Sequence, residues 1–135
     1  MKKFKTTCRV IYGDTDKMGM AYHANYFRWF EMGRSETFRA LGFSYLMIEK
    51  KGYVLPVSKA YCDYKSPVLY DDLITIETSI DPSVKGGIKF LYTIFCDKEK
   101  KIFATGYTKH ACLNSNGKVV RPPEFLRHLI AKSIA

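Results

Sequence analysis

Tyr12-Gly13-Asp14-Thr15-Asp16-Lys17-Met18-Gly19-Met20-Ala21-Tyr22-His23-Ala24-Asn25-Tyr26 runs from a loop rich in Gly and Asp straight into the most apolar helical stretch of the chain. Helix starts leave backbone N–H groups unpaired and carry positive potential, so they polarise a carbonyl or hold an anion. A loop that delivers carboxylates to such a start is a place where chemistry can be done.

Downstream of the loop the pattern is helical from about 24 to 41. At roughly 100° per residue, Tyr26, Phe27, Trp29, Phe30, Gly33, Phe38, Ala40 and Leu41 fill about half the circumference, opposite Arg28, Ser35 and Arg39. An arc that wide predicts burial on more than one side. Asn25 or a neighbour is expected to cap the start, and Gly42 suits the left-handed position just past the end. A helical turn over 44–50 returns the chain toward a sheet.

Upstream, residues 6–12 alternate as a strand that Gly13 and Asp14 end. After Gly52 the strand-like stretches are 53–65, 73–80, 88–97 and 102–113, separated by Ser66-Pro67 with Asp71-Asp72, by Asp81-Pro82 with Gly86-Gly87, and by the charged run 97–101. In the second of them Thr75, Glu77 and Ser79 oppose Ile74, Ile76 and Ile80, which predicts one wet face. The last is mixed on both faces, as a covered central strand would be. Arg121-Pro122-Pro123 introduces a final helix over 124–131. One strand, one long apolar helix and four strands with turn-length connections predict an α+β domain spanning 1–135, its antiparallel five-stranded sheet curled around the helix.

At 135 residues the chain suits a single domain with a sizeable core, and 47% apolar residues argue against disorder. Its longest apolar runs fall far short of the roughly 18 residues of a membrane span, and no signal-peptide block follows Met1, so a cytoplasmic protein is expected. Cys8, Cys62, Cys96 and Cys112 are far apart and read as reduced core thiols; with His23, His110 and His128 equally scattered, no metal site is predicted. A net charge of +9 suits a polyanionic partner without choosing among nucleic acid, an acidic membrane surface and a small molecule. In Lys59-Ala60-Tyr61-Cys62-Asp63-Tyr64-Lys65, Asp63 shares the face of Lys59, Tyr61 and Lys65, which argues against a phosphate-tracking stripe and against nucleic-acid binding.

Read by spacing alone, Asp16 is either a turn former or a functional carboxylate. Asp14 reads as a turn former or a support for the loop. The string Tyr12-Gly13-Asp14-Thr15-Asp16, Gly19 and Tyr22-His23-Ala24-Asn25-Tyr26, continued through Asp71-Asp72-Leu73-Ile74-Thr75-Ile76-Glu77, resembles the 4-hydroxybenzoyl-CoA thioesterase-like family of hotdog-fold acyl-CoA thioesterases. The resemblance covers nearly the whole chain. It implies hydrolysis of an acyl-CoA thioester without a cofactor, with Asp16 as the catalytic carboxylate and the backbone N–H of His23 aimed at the thioester carbonyl. It also implies a pantetheine channel at a homodimer interface, two sheets joined into one, and often a homotetramer. CoA phosphates are expected near the tip between the third and fourth strands, where only Lys85, with Lys89 nearby, is basic.

Further candidate substrate contacts are Tyr22, Asn25 and Tyr26, which either line the acyl pocket or hold the loop, together with Ser58 and Lys59. Phe27, Trp29 and Phe30 could line a pocket or fill the core. Glu31 and Arg34 are not expected to pair with each other, but with a partner on another element or subunit. An acyl carrier protein is an alternative bearer of the acyl group, and a non-catalytic domain binding an acyl ligand is an alternative of another class.

Overall fold

The computed structural model describes residues 1–134. Its elements are β1 (Phe4–Arg9), α1 (Asn25–Ala40), α2 (Tyr45–Lys50), β2 (Val57–Tyr64), β3 (Leu73–Ile80), β4 (Ile88–Cys96), β5 (Lys101–His110) and α3 (Glu124–Lys132). All strand pairs are antiparallel and form one sheet in the order β1-β3-β4-β5-β2. The sheet wraps α1, as the single apolar helix requires.

The core lies between α1 and the concave face of the sheet. Trp29, Phe30 and Phe38 of α1 are buried against Ile76, Phe90, Tyr92 and Ile94. A fully buried side chain of this size contributes roughly 1.5–3 kcal/mol. Trp29 and Phe30 therefore belong to the core rather than to a pocket, and Phe27 is half-buried. Two glycines allow the close approach. A Cβ at Gly33 would collide with Thr78 and Ile76 of β3, and one at Gly106 with Phe30 and the Tyr61 carbonyl. With that space free, the Phe30 ring stacks on Tyr92 at 4.2 Å and 5°.

Several boundaries differ from the sequence expectation. The first strand ends at Arg9 rather than at Tyr12, because the Asp14 carboxylate takes the Ile11 N–H at 3.0 Å and turns 12–14 into a 3₁₀ helix. The second begins at Val57, since Pro56 cannot donate to a ladder and only accepts from Ala111 N–H, while Val54 before it makes an isolated bridge to Leu113. The last strand stops at His110 rather than 113. The predicted wet face of β3 is largely covered: Thr75 and Ser79 are buried, and Glu77 pairs with Lys3 at 3.5 Å and Lys5 at 3.9 Å across β1. Asn25 does not cap α1. The cap position is Ala24, without a side-chain bond. Gly42 does take the left-handed conformation, at φ 89°.

Strand β2 lies at the end of the sheet, its free edge in solvent, with Val57, Tyr61 and Tyr64 exposed. Cys8, Cys62, Cys96 and Cys112 are free thiols, and only Cys112 is fully buried. No helix among the described residues is long and apolar enough to cross a membrane.

Candidate active site

Residues 14–22 form a small hairpin laid against the start of α1. Thr15 bridges Ala21, Asp16 N–H donates to Met20 O at 2.8 Å, and Gly19, at φ 77°, makes the turn. A left-handed backbone there favours glycine. Ala21 N–H donates to Val68 O at 2.7 Å, which ties the hairpin to the segment before β3.

Asp14 is the anchor. Its side chain is buried, it accepts from Ile11 N–H and from Arg28 Nη2 at 2.5 Å, and its carbonyl accepts from Asn25 Nδ2 at 2.7 Å and Tyr22 N–H at 2.8 Å. Asn25 therefore holds the loop through its amide nitrogen. Arg28 sits one turn into α1, so the pair ties the loop to the helix.

Asp16 is exposed on the same hairpin. Its Oδ1 accepts from Met18 N–H at 2.8 Å and Met20 N–H at 3.3 Å, which fixes the carboxylate as an Asx turn does. Its Oδ2 accepts no hydrogen bond among the described residues. The turn-forming and the functional reading of Asp16 are thus both present, one on each oxygen.

The helix start supplies the complementary groups. Asn25, Tyr26 and Phe27 donate back to Tyr22, His23 and Ala24 carbonyls, whereas the N–H groups of His23 and Ala24 meet no acceptor among the described residues. A cleft of about 290 Å³ brings Asp16, His23, Tyr26, Tyr64 and Lys65 together. A carbonyl oxygen held at the free amides of such a cleft would have its developing charge stabilised by them.

Tyr64 was not singled out by sequence. Its hydroxyl donates to His23 O at 3.0 Å, and its ring meets Tyr26 edge-on at 4.8 Å. Desolvation, and then the neighbouring Cys62, push the phenol up to about 12, so it stays a donor. The aromatic run on β2 was the only available signal for it. Tyr26 is buried against Trp29 as well as Tyr64, and exposed Tyr22 leans on the His23 ring at 4.4 Å.

The remaining predicted contacts lie at the other end of β2. Ser58 is six residues from Tyr64, about 20 Å along a strand. Ser58 Oγ donates to Lys109 O at 3.2 Å beside a second depression that Lys85 also lines. Lys59 is exposed and pairs across the ladder with Lys109. Lys89 is engaged within the sheet, 3.9 Å from Asp81 and over the Tyr107 ring at 4.5 Å. Beside Lys85 the fold adds Arg121 and Arg127, which sequence had not joined to it. A fuller basic patch therefore exists at this tip than the 81–87 loop alone offers.

Two more findings correct or extend the sequence reading. Glu31 and Arg34 do pair, at 3.7 Å, because residues three apart share a helix face. His110 is buried in a directed chain: its Nδ1–H donates to Leu55 O at 2.9 Å and its Nε2 accepts from Thr108 Oγ1 at 2.8 Å, whose oxygen in turn takes the Tyr92 hydroxyl at 2.6 Å. Among the described residues no group of three or more His, Cys, Asp or Glu side chains is arranged to hold a metal ion.

The sequence profile of the Thioesterase-like superfamily matches residues 10–130. A provisionally named esterase of Aquifex aeolicus is 37% identical over 116 residues, covering 86% of this chain and 88% of that protein. An Escherichia coli protein named acyl-CoA thioester hydrolase YbgC is 39% identical over 79 residues, 57% of this chain and 58% of that one. The crystal structure of a DHNA-CoA thioesterase from Staphylococcus aureus superposes with a TM-score of 0.90 at 30% identity, covering 98% of this chain and 91% of that one.

Proposed function

The chain belongs to the thioesterase-like superfamily, and from that membership we propose that it hydrolyses acyl-CoA thioesters in the cleft between Asp16 and the start of α1. The observation that carries this reading is the shared cleft: Asp16, with one carboxylate oxygen that accepts no hydrogen bond among the described residues, and His23, whose N–H meets no acceptor among them, line the same space.

In this reading the thioester carbonyl oxygen lies at the His23 N–H. One well-placed donor to a developing oxyanion stabilises the transition state by roughly 2.7–4 kcal/mol. Asp16 acts through Oδ2, either by taking a proton from the attacking water or by attacking the carbonyl carbon to form an anhydride that water opens. In both routes the carbon–sulfur bond breaks, CoA leaves as the thiolate and is protonated, and the acid is released. Single turnover in ¹⁸O-water separates them, since only the anhydride route places label in the Asp16 carboxylate. Tyr64 and Arg28 are positioning residues, the first holding the His23 carbonyl and the second the Asp14 anchor.

The nucleotide end of CoA suits the patch of Lys85, Lys109, Arg121 and Arg127. The exposed edge of β2 suits pairing with the β2 of a second copy, which would join two sheets and cover Tyr61 and Val57. A +9 chain would also attract an acidic acyl carrier protein. Comparing acyl-CoA with the same acyl group on a carrier protein decides between the two donors. The reading as a whole is tested by Asp16→Asn against a panel of acyl-CoAs: turnover lost with the fold intact supports it, and equal release by both proteins leaves only a binding domain.

A further inference from the structure

A second cavity, of about 260 Å³, shares no lining residue with the Asp16 cleft. Phe38, Phe90 and the Tyr45 ring form its apolar walls, and Glu31, Arg34, His110 and the Tyr45 hydroxyl, which accepts from Leu55 N–H, are its titratable groups. His110 is fully engaged by Leu55 and Thr108 and offers a ligand nothing.

Arg34 is different. Its side chain is only 17% exposed, and its one ion pair is the loose 3.7 Å contact to Glu31, whose own side chain is 69% exposed. The Tyr92 hydroxyl lies beside it and is its other polar neighbour, and Glu31 is the one carboxylate paired with it among the described residues. A guanidinium has five donors and no acceptor, and withdrawing it from water without partners is costly. Two such partners leave most of its five donors open to a further anion.

The cavity is also aligned with the catalytic cleft. At 100° per residue, Ala24, Phe27, Glu31, Arg34, Ser35 and Phe38 fall on one face of α1 or its entry, opposite the core residues Tyr26, Trp29 and Gly33. Arg34 is eleven residues beyond His23, about 16 Å along a helix. From a thioester at His23, only a long acyl chain running along this face would span that distance.

We propose that the cavity receives the far end of a long acyl group bearing a terminal carboxylate, which Arg34 binds while Phe38 and Phe90 pack on the methylenes. A carboxylate accepts two parallel N–H bonds from one guanidinium, a geometry no single ammonium reproduces. This specificity rests on the thioesterase reading, and the test keeps the two apart.

Hydrolysis of dodecanedioyl-CoA is compared with that of dodecanoyl-CoA, and binding of free dodecanedioate with that of dodecanoate is measured by calorimetry. In the unsubstituted protein the terminal carboxylate is expected to favour both hydrolysis and binding. Arg34→Gln is expected to cut the kcat/KM ratio of the two thioesters about tenfold, as for loss of a hydrogen-bonded charge, with Arg34→Lys falling between. An unchanged ratio, or equal binding of the two free acids by the unsubstituted protein, overturns the proposal even if both thioesters are hydrolysed. A lower sedimenting mass on Arg34→Gln would assign the guanidinium to a contact between subunits and also overturn it. Tight binding of dodecanedioate by a chain that hydrolyses neither thioester would support the cavity and reject the hydrolase.

Discussion

Asp14 and Arg28 join the 14–22 hairpin to the helix it faces, through a 2.5 Å ion pair in which the carboxylate is buried and the guanidinium half-exposed. The second Asp14 oxygen holds Ile11, and its carbonyl holds Asn25 and Tyr22. Every group proposed for chemistry hangs from this joint. Asp14→Ala is expected to lower stability by about 2 kcal/mol, as expected for losing a hydrogen-bonded charge, and to reduce turnover well beyond what unfolding explains. Urea denaturation and steady-state rates on the same sample check this; full activity at reduced stability would show that the joint does not position the site.

Gly33 sets the distance between α1 and β3. A Cβ there would press on Thr78 Oγ1 and come within 2.8 Å of Ile76 Cγ2, both in the packed core. Gly33→Ala should cost about 1–3 kcal/mol by overpacking, despite alanine's better helix propensity. A denaturation midpoint at or above that of the unsubstituted protein would contradict the packing.

His110 supplies a pH dependence of known sign. Burial chiefly lowers its pKa to about 4, although its hydrogen bond to Leu55 opposes the shift. The unfolded chain, with an ordinary histidine near 6.5, binds the proton first as pH falls. The folded state is therefore favoured by the full amount above about pH 6.5, and this contribution is lost as pH falls toward 4, on the order of 2 kcal/mol. His110→Gln should flatten that part of the profile. Unfolding free energies at pH 7 and pH 4.5 measure it, and an equal slope in both proteins would remove His110 as the cause.

Lys85 and Lys109 face one depression, with Arg121 and Arg127 beside Lys85. If they hold CoA phosphates, Lys85→Ala with Lys109→Ala should raise KM for acyl-CoA about tenfold, an effect that salt suppresses. Acyl-pantetheine, which lacks the nucleotide, should be hydrolysed alike by both proteins. An equal loss for both substrates would place the lysines elsewhere in the account of binding.

What could be read in the sequence was whatever rests on local pattern. The period of α1, the strands β3 and β4, the left-handed Gly42 and the proline-led α3 all depend on neighbours in the chain. The errors fall where distant residues intervene. Glu77 on the outer face of β3 is covered by Lys5 of β1 and by Lys3 just before it. Tyr64 reaches the His23 carbonyl across 41 positions, and no local periodicity signals that bond. Lys85 looked isolated in its loop because Lys109, Arg121 and Arg127 come from other parts of the chain. Two misjudged contacts are local: the Asp14 carboxylate on Ile11 N–H, which ends β1 early, and the Glu31–Arg34 pair at an ordinary helical spacing.

Asp16 carries the central claim, and its side chain is reached by an isosteric change. Asp16→Asn retains an oxygen that accepts from Met18 and Met20, so the hairpin should persist while the carboxylate is lost. The decisive measurement is the initial rate of free-CoA release from long-chain acyl-CoA by both proteins, with circular dichroism on the same samples. The expected result is a fall in kcat of at least about 10²-fold, the range of a lost acid–base group, with an unchanged spectrum and melting temperature. Release at an undiminished rate by the folded Asp16→Asn protein would contradict the assignment.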